Sequence, residues 1–295
     1  MDLALNDVHV LVTGASGGIG LATCRLYLTA ETYSGVGLEE QGAKITAHYN
    51  TTSSTLDPLV AEYGPTRVRT IQANLAQEED AIRMMNVKTE GFGAVQVLVV
   101  NHGYYPPNDV PVSRMTLAQW NSTMNSNLTS SFLVVREYLR HLEDATAAEK
   151  DKAAIVMIGS TAGKYGEFGH ADYSAAKSGM MYGLLMTLKN EIVKIAPKGR
   201  VNCIAPGFHI KHGVDATHVG WVKTPMAAHA LENPEIVYRA LATMPLKKVA
   251  TPGDVATQVV FVSSTAVSGH VSGQVIMVEG GMEGRLLNKP EDIVL

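Results

Sequence analysis

The sequence is poor in cysteine, with only Cys24 and Cys203 in 295 residues. A disulfide framework or a Cys-rich metal centre needs more than that. The two fall on a predicted helix and a predicted buried strand, where a thiol behaves as a small hydrophobe, and they point to a reducing compartment. Charge of neither sign is in excess: 24 Lys and Arg stand against 28 Asp and Glu, for a net charge of −4. That balance gives no support for nucleic-acid binding. No apolar run reaches the roughly 18–20 residues that span a bilayer. The first strand pattern starts by Val8, which leaves no room for a signal or transit peptide, so a cytoplasmic protein is expected. Internal repeats and low-complexity tracts are also lacking. What remains, 46% apolar and 18% charged residues, is a globular composition, and a chain of this length buries a sizeable core.

What is present is a regular alternation of two hydrophobic periods. Short apolar runs predict strands at Val8–Val12, Lys44–Tyr49, Arg67–Gln72, Val95–Val100, Ala153–Ile158, Arg200–Ile204 and Gln274–Val278. Helical spacing predicts helices near Ile19–Ala30, Thr55–Tyr63, Glu78–Thr89, Leu117–Leu142, Asp172–Ile195 and Gly253–Ser263. Strands that are apolar throughout and separated by helices imply a parallel sheet covered on both faces. The expected fold is therefore α/β: one doubly wound Rossmann-type domain over residues 1–295, with seven parallel strands and its ligand crevice at their carboxyl ends.

Two local patterns carry chemistry. After the first strand comes Thr13-Gly14-Ala15-Ser16-Gly17-Gly18-Ile19-Gly20, and then a helix. Strand, glycine turn and helix in that order present backbone N–H groups and a helix N-terminus to a pyrophosphate. The second is Tyr173-Ser-Ala-Ala-Lys177, with Ser160 thirteen residues upstream. A lysine one helical turn from a phenol can depress the phenol's pKa. A hydroxyl arriving from a strand end can polarise the same substrate oxygen. Such a set moves a proton on or off an alcohol or carbonyl.

With these motifs the chain resembles the short-chain dehydrogenase/reductase family, and most closely its 3-oxoacyl-carrier-protein reductase-like members. The resemblance rests on Gly14 to Gly20, Val100-Asn101-His102-Gly103, Asn127 in Asn-Leu-Thr-Ser-Ser-Phe132, Ser160, Tyr173 with Lys177, Pro206-Gly207, and Val275 to Gly281. It implies a catalytic set of Asn127, Ser160, Tyr173 and Lys177, with Tyr173 as the acid–base and Asn127 anchoring a water that connects Lys177 to solvent. It also implies a nicotinamide dinucleotide. Its contacts would come from Gly14, Ser16, Gly18, Ile19 and Gly20, from Tyr49, Asn50 and Thr51, and from Asn74 and Leu75. Asn101, His102, Gly103, Tyr173, Lys177, Pro206, Gly207, Val222 and Thr224 would supply the rest. The small-molecule substrate would be a carbonyl compound or an alcohol. No metal is implied. Two other readings remain open: a biosynthetic cyclisation or isomerisation on the same fold, and a non-catalytic nucleotide-binding scaffold. The scaffold reading expects one of the four catalytic positions to be lost, and all four are present.

Cofactor choice turns on the end of the second strand. A carboxylate there binds the ribose 2′-hydroxyl and repels a 2′-phosphate. This chain has Tyr49-Asn50-Thr51-Thr52-Ser53 instead, which favours NADP(H), with NAD(H) possible because no Arg or Lys accompanies it. Asn74 stands where the family carries Asp, and its amide can still donate and accept at an adenine. Two stretches depart from the family pattern, near 29–41 and at 208–220. The second carries His209, His212 and His218, with His229 beyond; these read as solvated loop histidines. His102 and His170 read as neutral packed histidines or substrate contacts. Tyr104-Tyr105-Pro106-Pro107 borders the substrate mouth and suits an apolar or aromatic guest. On the helix that carries Tyr173, the residues Tyr182, Leu185, Met186 and Lys189 recur at helical spacing, while Met180, Met181, Leu184 and Leu188 add apolar surface on other sides. That pattern predicts a homotetramer, or at least a homodimer.

Overall fold

Seven strands form the sheet: β1 (His9–Val12), β2 (Lys44–Tyr49), β3 (Val68–Gln72), β4 (Val97–Val100), β5 (Ala154–Ile158), β6 (Arg200–Pro206) and β7 (Val275–Val278). They are described from a computed structural model of the chain, for residues 2–29, 42–87, 90–207, 238, 241–282 and 290–293. Every residue of β1, β4, β5 and β6 is buried, as expected of strands covered on both faces. All pairings are parallel, in the order β3-β2-β1-β4-β5-β6-β7. The chain reverses its direction of travel across the sheet between β1 and β4, and a crevice opens there above the carboxyl ends.

The helices among the described residues are α1 (Gly18–Thr29), α2 (Asp57–Tyr63), α3 (Glu78–Asn86), α4 (Leu117–Met124), α5 (Ser130–Glu143), α6 (Ala147–Lys150), α7 (Thr161–Tyr165), α8 (Ala171–Ser178), α9 (Leu185–Ile195), α10 (Pro252–Ser263) and α11 (Thr265–Ser268). They divide into two apolar layers. One joins Tyr27, Leu28, Leu59 and Val259 to the face of Val10, Ile45 and Val156. The other joins Met84, Val134, Tyr138, Leu185 and Ile192 to the face of Leu98, Ile155 and Val201. Each fully buried Val, Leu or Ile is worth about 1.5–3 kcal/mol of transfer free energy. α10 starts with a Thr251–Asp254 capping box. It ends under the buried Arg200, whose guanidinium donates to the carbonyls of Val262, Ser263 and Ser268.

The predicted helices Leu117–Leu142 and Asp172–Ile195 are each interrupted by a π-turn, at Asn125–Thr129 and Gly179–Leu184. The cause of the first lies in Asn127. Its amide Nδ2 donates to the carbonyl of Thr123, four residues back, at 2.9 Å, and so takes over part of the helical hydrogen bonding. The second brings the consecutive Met180 and Met181 inward together; both are fully buried, as is Leu185, with Leu188 close behind. This corrects the expectation of a helix apolar around its circumference. Leu185, Met180, Met181 and Leu188 face the core, and Tyr182, 45% exposed, is the large apolar group on the outer face of the π-turn.

Candidate active site

The glycine turn follows β1. Gly14 has φ +61°, and a Cβ on Gly20 would collide with the carbonyl oxygen of Gly14; glycine is required at both positions. Gly18 and Ile19 open α1, where backbone N–H groups have no carbonyl within their own helix, and both residues line a cavity of about 670 Å³. Three anchors hold the turn. The Asn101 Nδ2 donates to the carbonyls of Thr13 and Gly14 at 3.0 and 2.9 Å. The Thr55 hydroxyl donates to the Ser16 carbonyl at 2.9 Å. The Gly14 N–H donates to His48 Nδ1 at 3.0 Å, while His48 Nε2 meets the Ala73 carbonyl at 2.9 Å. An N–H on one side and a carbonyl on the other fix the tautomer: Nδ1 accepts and Nε2 carries the hydrogen. His48 thereby ties the ends of β1, β2 and β3 together.

His102 has the opposite tautomer. The Thr13 hydroxyl already donates to the Val99 carbonyl, so His102 Nδ1 donates to it at 2.8 Å and Nε2 accepts from the Ser130 hydroxyl at 3.0 Å. Burial lowers the His48 pKa to about 4, and burial reinforced by His48 and Lys177 lowers that of His102 to about 3. Both rings are neutral braces, and each accepting nitrogen is already used.

At the other end of the cavity lie Tyr173 and Lys177, both nearly fully buried. Lys177 Nζ donates to the Ile158 carbonyl at 2.8 Å and sits 5.7 Å from the centre of the Tyr173 ring. The hydroxyl of Ser160, the residue after Gly159 at the end of β5, hydrogen-bonds the phenol. Asn127 grips the backbone of Tyr104 on both sides, its Oδ1 accepting from the N–H at 3.1 Å and its Nδ2 donating to the carbonyl at 2.8 Å. A Cβ on Gly103 would stand 2.9 Å from Asn127 Oδ1 and 3.6 Å from Lys177 Nζ, so the two side chains converge beneath that glycine. Asp172 seats the start of α8: it accepts from the Thr123 hydroxyl at 2.7 Å, from Gln119 at 3.2 Å and from the Tyr173 N–H at 2.8 Å.

Burial holds the Tyr173 phenol above the usual tyrosine range, with Glu167 pushing the same way and the Ser160 hydrogen bond opposing. Burial also lowers Lys177 to about 8. The expected pull of the ammonium on the phenol is outweighed here by burial of both groups.

The residues named from sequence therefore come together as follows. Gly14, Ser16, Gly18, Ile19, Asn50, Thr51, Asn74, Leu75, Asn101, His102, Gly103, Tyr173, Lys177 and Pro206 line one cavity. Ser160 and Asn127 lie directly behind it. Gly20 supports the turn from beneath, and the Gly207 N–H bonds the Val278 carbonyl at 3.1 Å. Tyr49 is a correction: its ring packs with Ile45 and Ala47 into the apolar layer under α1, because alternate residues of a strand face opposite ways. His48 takes the cleft position instead. Val222, Thr224 and the histidines His209, His212, His218 and His229 lie outside the described residues, as does nearly all of both inserts. Sequence reasoning missed His48, Thr55, Ser126 and Ser130 on the cavity wall, and Asp172 behind it.

The short chain dehydrogenase family pattern matches residues 8–218. A 3-oxoacyl-[acyl-carrier-protein] reductase of Synechocystis sp. is 29% identical over 282 residues, covering 95% of this chain and 98% of the relative. An acetoacetyl-CoA reductase of the same organism is 26% identical, over 95% of this chain and 98% of its own. Among solved structures, a short-chain dehydrogenase/reductase described as a glucose/ribitol dehydrogenase from Brucella melitensis superposes with a TM-score of 0.76 at 29% identity, over 95% of this chain and 98% of that one. With that match and its seven-stranded parallel sheet, the chain belongs to the short-chain dehydrogenase/reductase family of oxidoreductases.

Proposed function

We propose that the protein interconverts a carbonyl and a secondary alcohol with NADP(H), using Tyr173 as the acid–base group. The observation that carries this reading is the convergence of Tyr173, Lys177, Ser160 and Asn127 at one end of a cavity whose other end is the glycine turn. The residues present fit a dinucleotide: positive-φ Gly14 and the N-terminus of α1 suit a pyrophosphate. Asn50, Thr51, Asn74 and Leu75 line the adenosine end. No carboxylate lines the cavity among the described residues, which supports NADP(H) over NAD(H). The names of the similar 3-oxoacyl-[acyl-carrier-protein] reductase and acetoacetyl-CoA reductase support reduction as the direction.

When bound, the nicotinamide supplies or accepts the hydride at the substrate carbon. The chain's own residues handle the proton and the developing charge. Ser160 donates a hydrogen bond to the substrate oxygen and steadies it as negative charge builds. Tyr173 gives that oxygen its proton in reduction and removes it in oxidation; its raised pKa keeps the phenol protonated at neutral pH, ready to donate. Lys177, lowered to about 8, stays largely cationic at neutral pH and faces the proton deficit left on the phenol. Asn127 holds the Tyr104 backbone and the π-turn, and so fixes the floor under Gly103. A small-molecule substrate, a cytoplasmic location and assembly as a homotetramer or homodimer belong to the same reading; Phe132 on α5 and Tyr182 on the π-turn after α8, each 45% exposed, are available to a second copy. Light scattering at micromolar concentration should give a multiple of 31.6 kDa. The function is tested by screening ketones and alcohols with NADPH and NADP⁺ at the reduced-nicotinamide absorbance. Turnover with at least one carbonyl compound is expected, and binding of the cofactor without turnover of any substrate would refute the reading.

A further inference from the structure

Beside Tyr173, two chain segments, 105–110 and 167–173, meet around Tyr105. The Tyr105 hydroxyl donates to Glu167 Oε1 at 2.6 Å. Its ring is backed by the His170 imidazole at 4.2 Å between centroids, tilted by 32°. Its ring also meets that of Tyr173 in an edge contact at 5.0 Å and 79°. His170 in turn bonds Asp109 Oδ1 at 2.9 Å, and the Val110 N–H fastens that loop to the Gly169 carbonyl at 2.9 Å. A tyrosine held by its hydroxyl, by one face and by an edge has little freedom left, and Tyr105 still lines the cavity.

We propose that Tyr105 is a specificity-determining residue: clamped by Glu167 and His170, its ring forms the substrate wall next to Tyr173 and selects uncharged ketones or alcohols with a flat ring near the reacting carbon over anionic acyl substrates. This rests on the carbonyl–alcohol reading above and names the substrate class for it. Two observations carry it. A rigid aromatic wall offers offset or edge contacts to a flat guest, and a fixed ring loses little entropy in making them. The charges at the wall are the second. Glu167 and Asp109 place carboxylates behind Tyr105, and Lys177 is the one cationic side chain that lines the cavity among the described residues, with its ammonium already bonded to Ile158. An open-chain acyl group makes no ring contact with this wall, and the phosphate of its carrier finds no cation besides Lys177 on the cavity wall among the described residues. Tyr104, 43% exposed, lines the same cavity and extends its apolar wall outward.

The test compares 2-tetralone, a neutral bicyclic ketone, with acetoacetyl-CoA in the full-length protein with NADPH. Wild type is expected to favour 2-tetralone in kcat/KM. Tyr105→Ala should lower that preference about tenfold, the size of an aromatic contact together with the apolar area lost. Tyr105→Phe, which keeps the ring, should retain most of the preference, and it tests the wall even if the alanine variant does not fold. A wild-type preference for acetoacetyl-CoA, or a ratio unchanged in Tyr105→Ala, overturns the proposal while leaving the reductase reading intact. Calorimetric titration of 2-tetralone into the NADP⁺-saturated protein separates the two ideas. Binding that weakens in Tyr105→Ala without any turnover upholds the wall and removes the reductase reading. No binding to wild type overturns the wall.

Discussion

The amino and carboxyl ends of the sheet are built from the same polar residue types, arranged for different ends. At the amino end, His9 Nδ1 meets the Gly93 carbonyl at 3.1 Å and Nε2 meets the Thr46 hydroxyl at 2.7 Å, while Arg69 Nε donates to the same hydroxyl at 2.6 Å. Arg200 caps α10, and the Tyr27 hydroxyl donates to Ser263 at 2.8 Å. None of these residues lines the cleft at the carboxyl end. At the carboxyl end, His48, His102, Tyr173 and Lys177 line the cleft. Their hydrogen bonds brace groups that a ligand would touch. Substitutions at the first end should therefore be read in stability, and those at the second in binding and turnover.

The largest effect expected is on turnover. Tyr173→Phe removes one hydroxyl and leaves Lys177 and the ring packing, so turnover should fall by about 10²–10⁴ while the thermal midpoint stays close to wild type. Near-normal activity in this variant would break the comparison at the carboxyl end. The matching test at the amino end is Arg200→Met. Losing charge-assisted bonds to three carbonyls at the end of α10 should cost about 3 kcal/mol in urea unfolding, with turnover per folded molecule unchanged. A stable variant with impaired cofactor binding would show that the two ends are not separable.

Acid should strain both ends at once. His9 and His48 are lowered to about 4 in the fold from an ordinary 6.5, mainly by burial; Arg69 and Lys44 add to the effect at His9. The unfolded chain takes up those protons first. Stability is therefore full above about pH 6.5 and declines as pH falls toward 4, by on the order of 3 kcal/mol per histidine. His9→Gln should flatten part of that slope and leave NADPH affinity alone, whereas His48→Gln should flatten it and weaken NADPH binding. Urea titrations at pH 7 and pH 5 with parallel NADPH binding measure both. Identical behaviour of the two variants would remove the distinction between the ends.

The strands were legible to within two residues at their starts, because an all-apolar run has no competing explanation once glycine turns bound it. Helix existence was legible too, but the π-turns at Asn125–Thr129 and Gly179–Leu184 were not. Averaged periodicity hides one extra residue in a turn, and the cause of the first is a side-chain bond from Asn127. The exchange of Tyr49 for His48 was within reach: Ile45, Ala47 and Tyr49 share one face of β2, and period two puts His48 on the other. The assembly around Tyr105 was not. Its members Asp109, Glu167 and His170 meet through pairings 61 and 62 residues apart, which no local pattern reports. Tyr-x-x-x-Lys placed the phenol and the ammonium correctly but not their electrostatics, since burial depends on the elements packed around them.

The smallest expected effect sharpens the comparison within the carboxyl end itself. Asn50 lines the cavity where the proposed dinucleotide would place its adenosine, and its carbonyl is held by Gln72 Nε2 at 2.9 Å. That bond uses the backbone, so the side chain can change without releasing the loop. Asn50→Asp puts a carboxylate where a 2′-phosphate would sit, and should cost NADPH on the order of 1–3 kcal/mol while leaving NADH nearly unaffected. Catalysis at saturating cofactor should change little, because Tyr173 lies at the far end of the cleft. Fluorescence titration of both cofactors against wild type and variant reads the ratio directly. Wild-type protein that binds NADH more tightly than NADPH would overturn the cofactor assignment, and it would mean that the neutral Asn50–Thr51 wall serves a ribose hydroxyl rather than a phosphate.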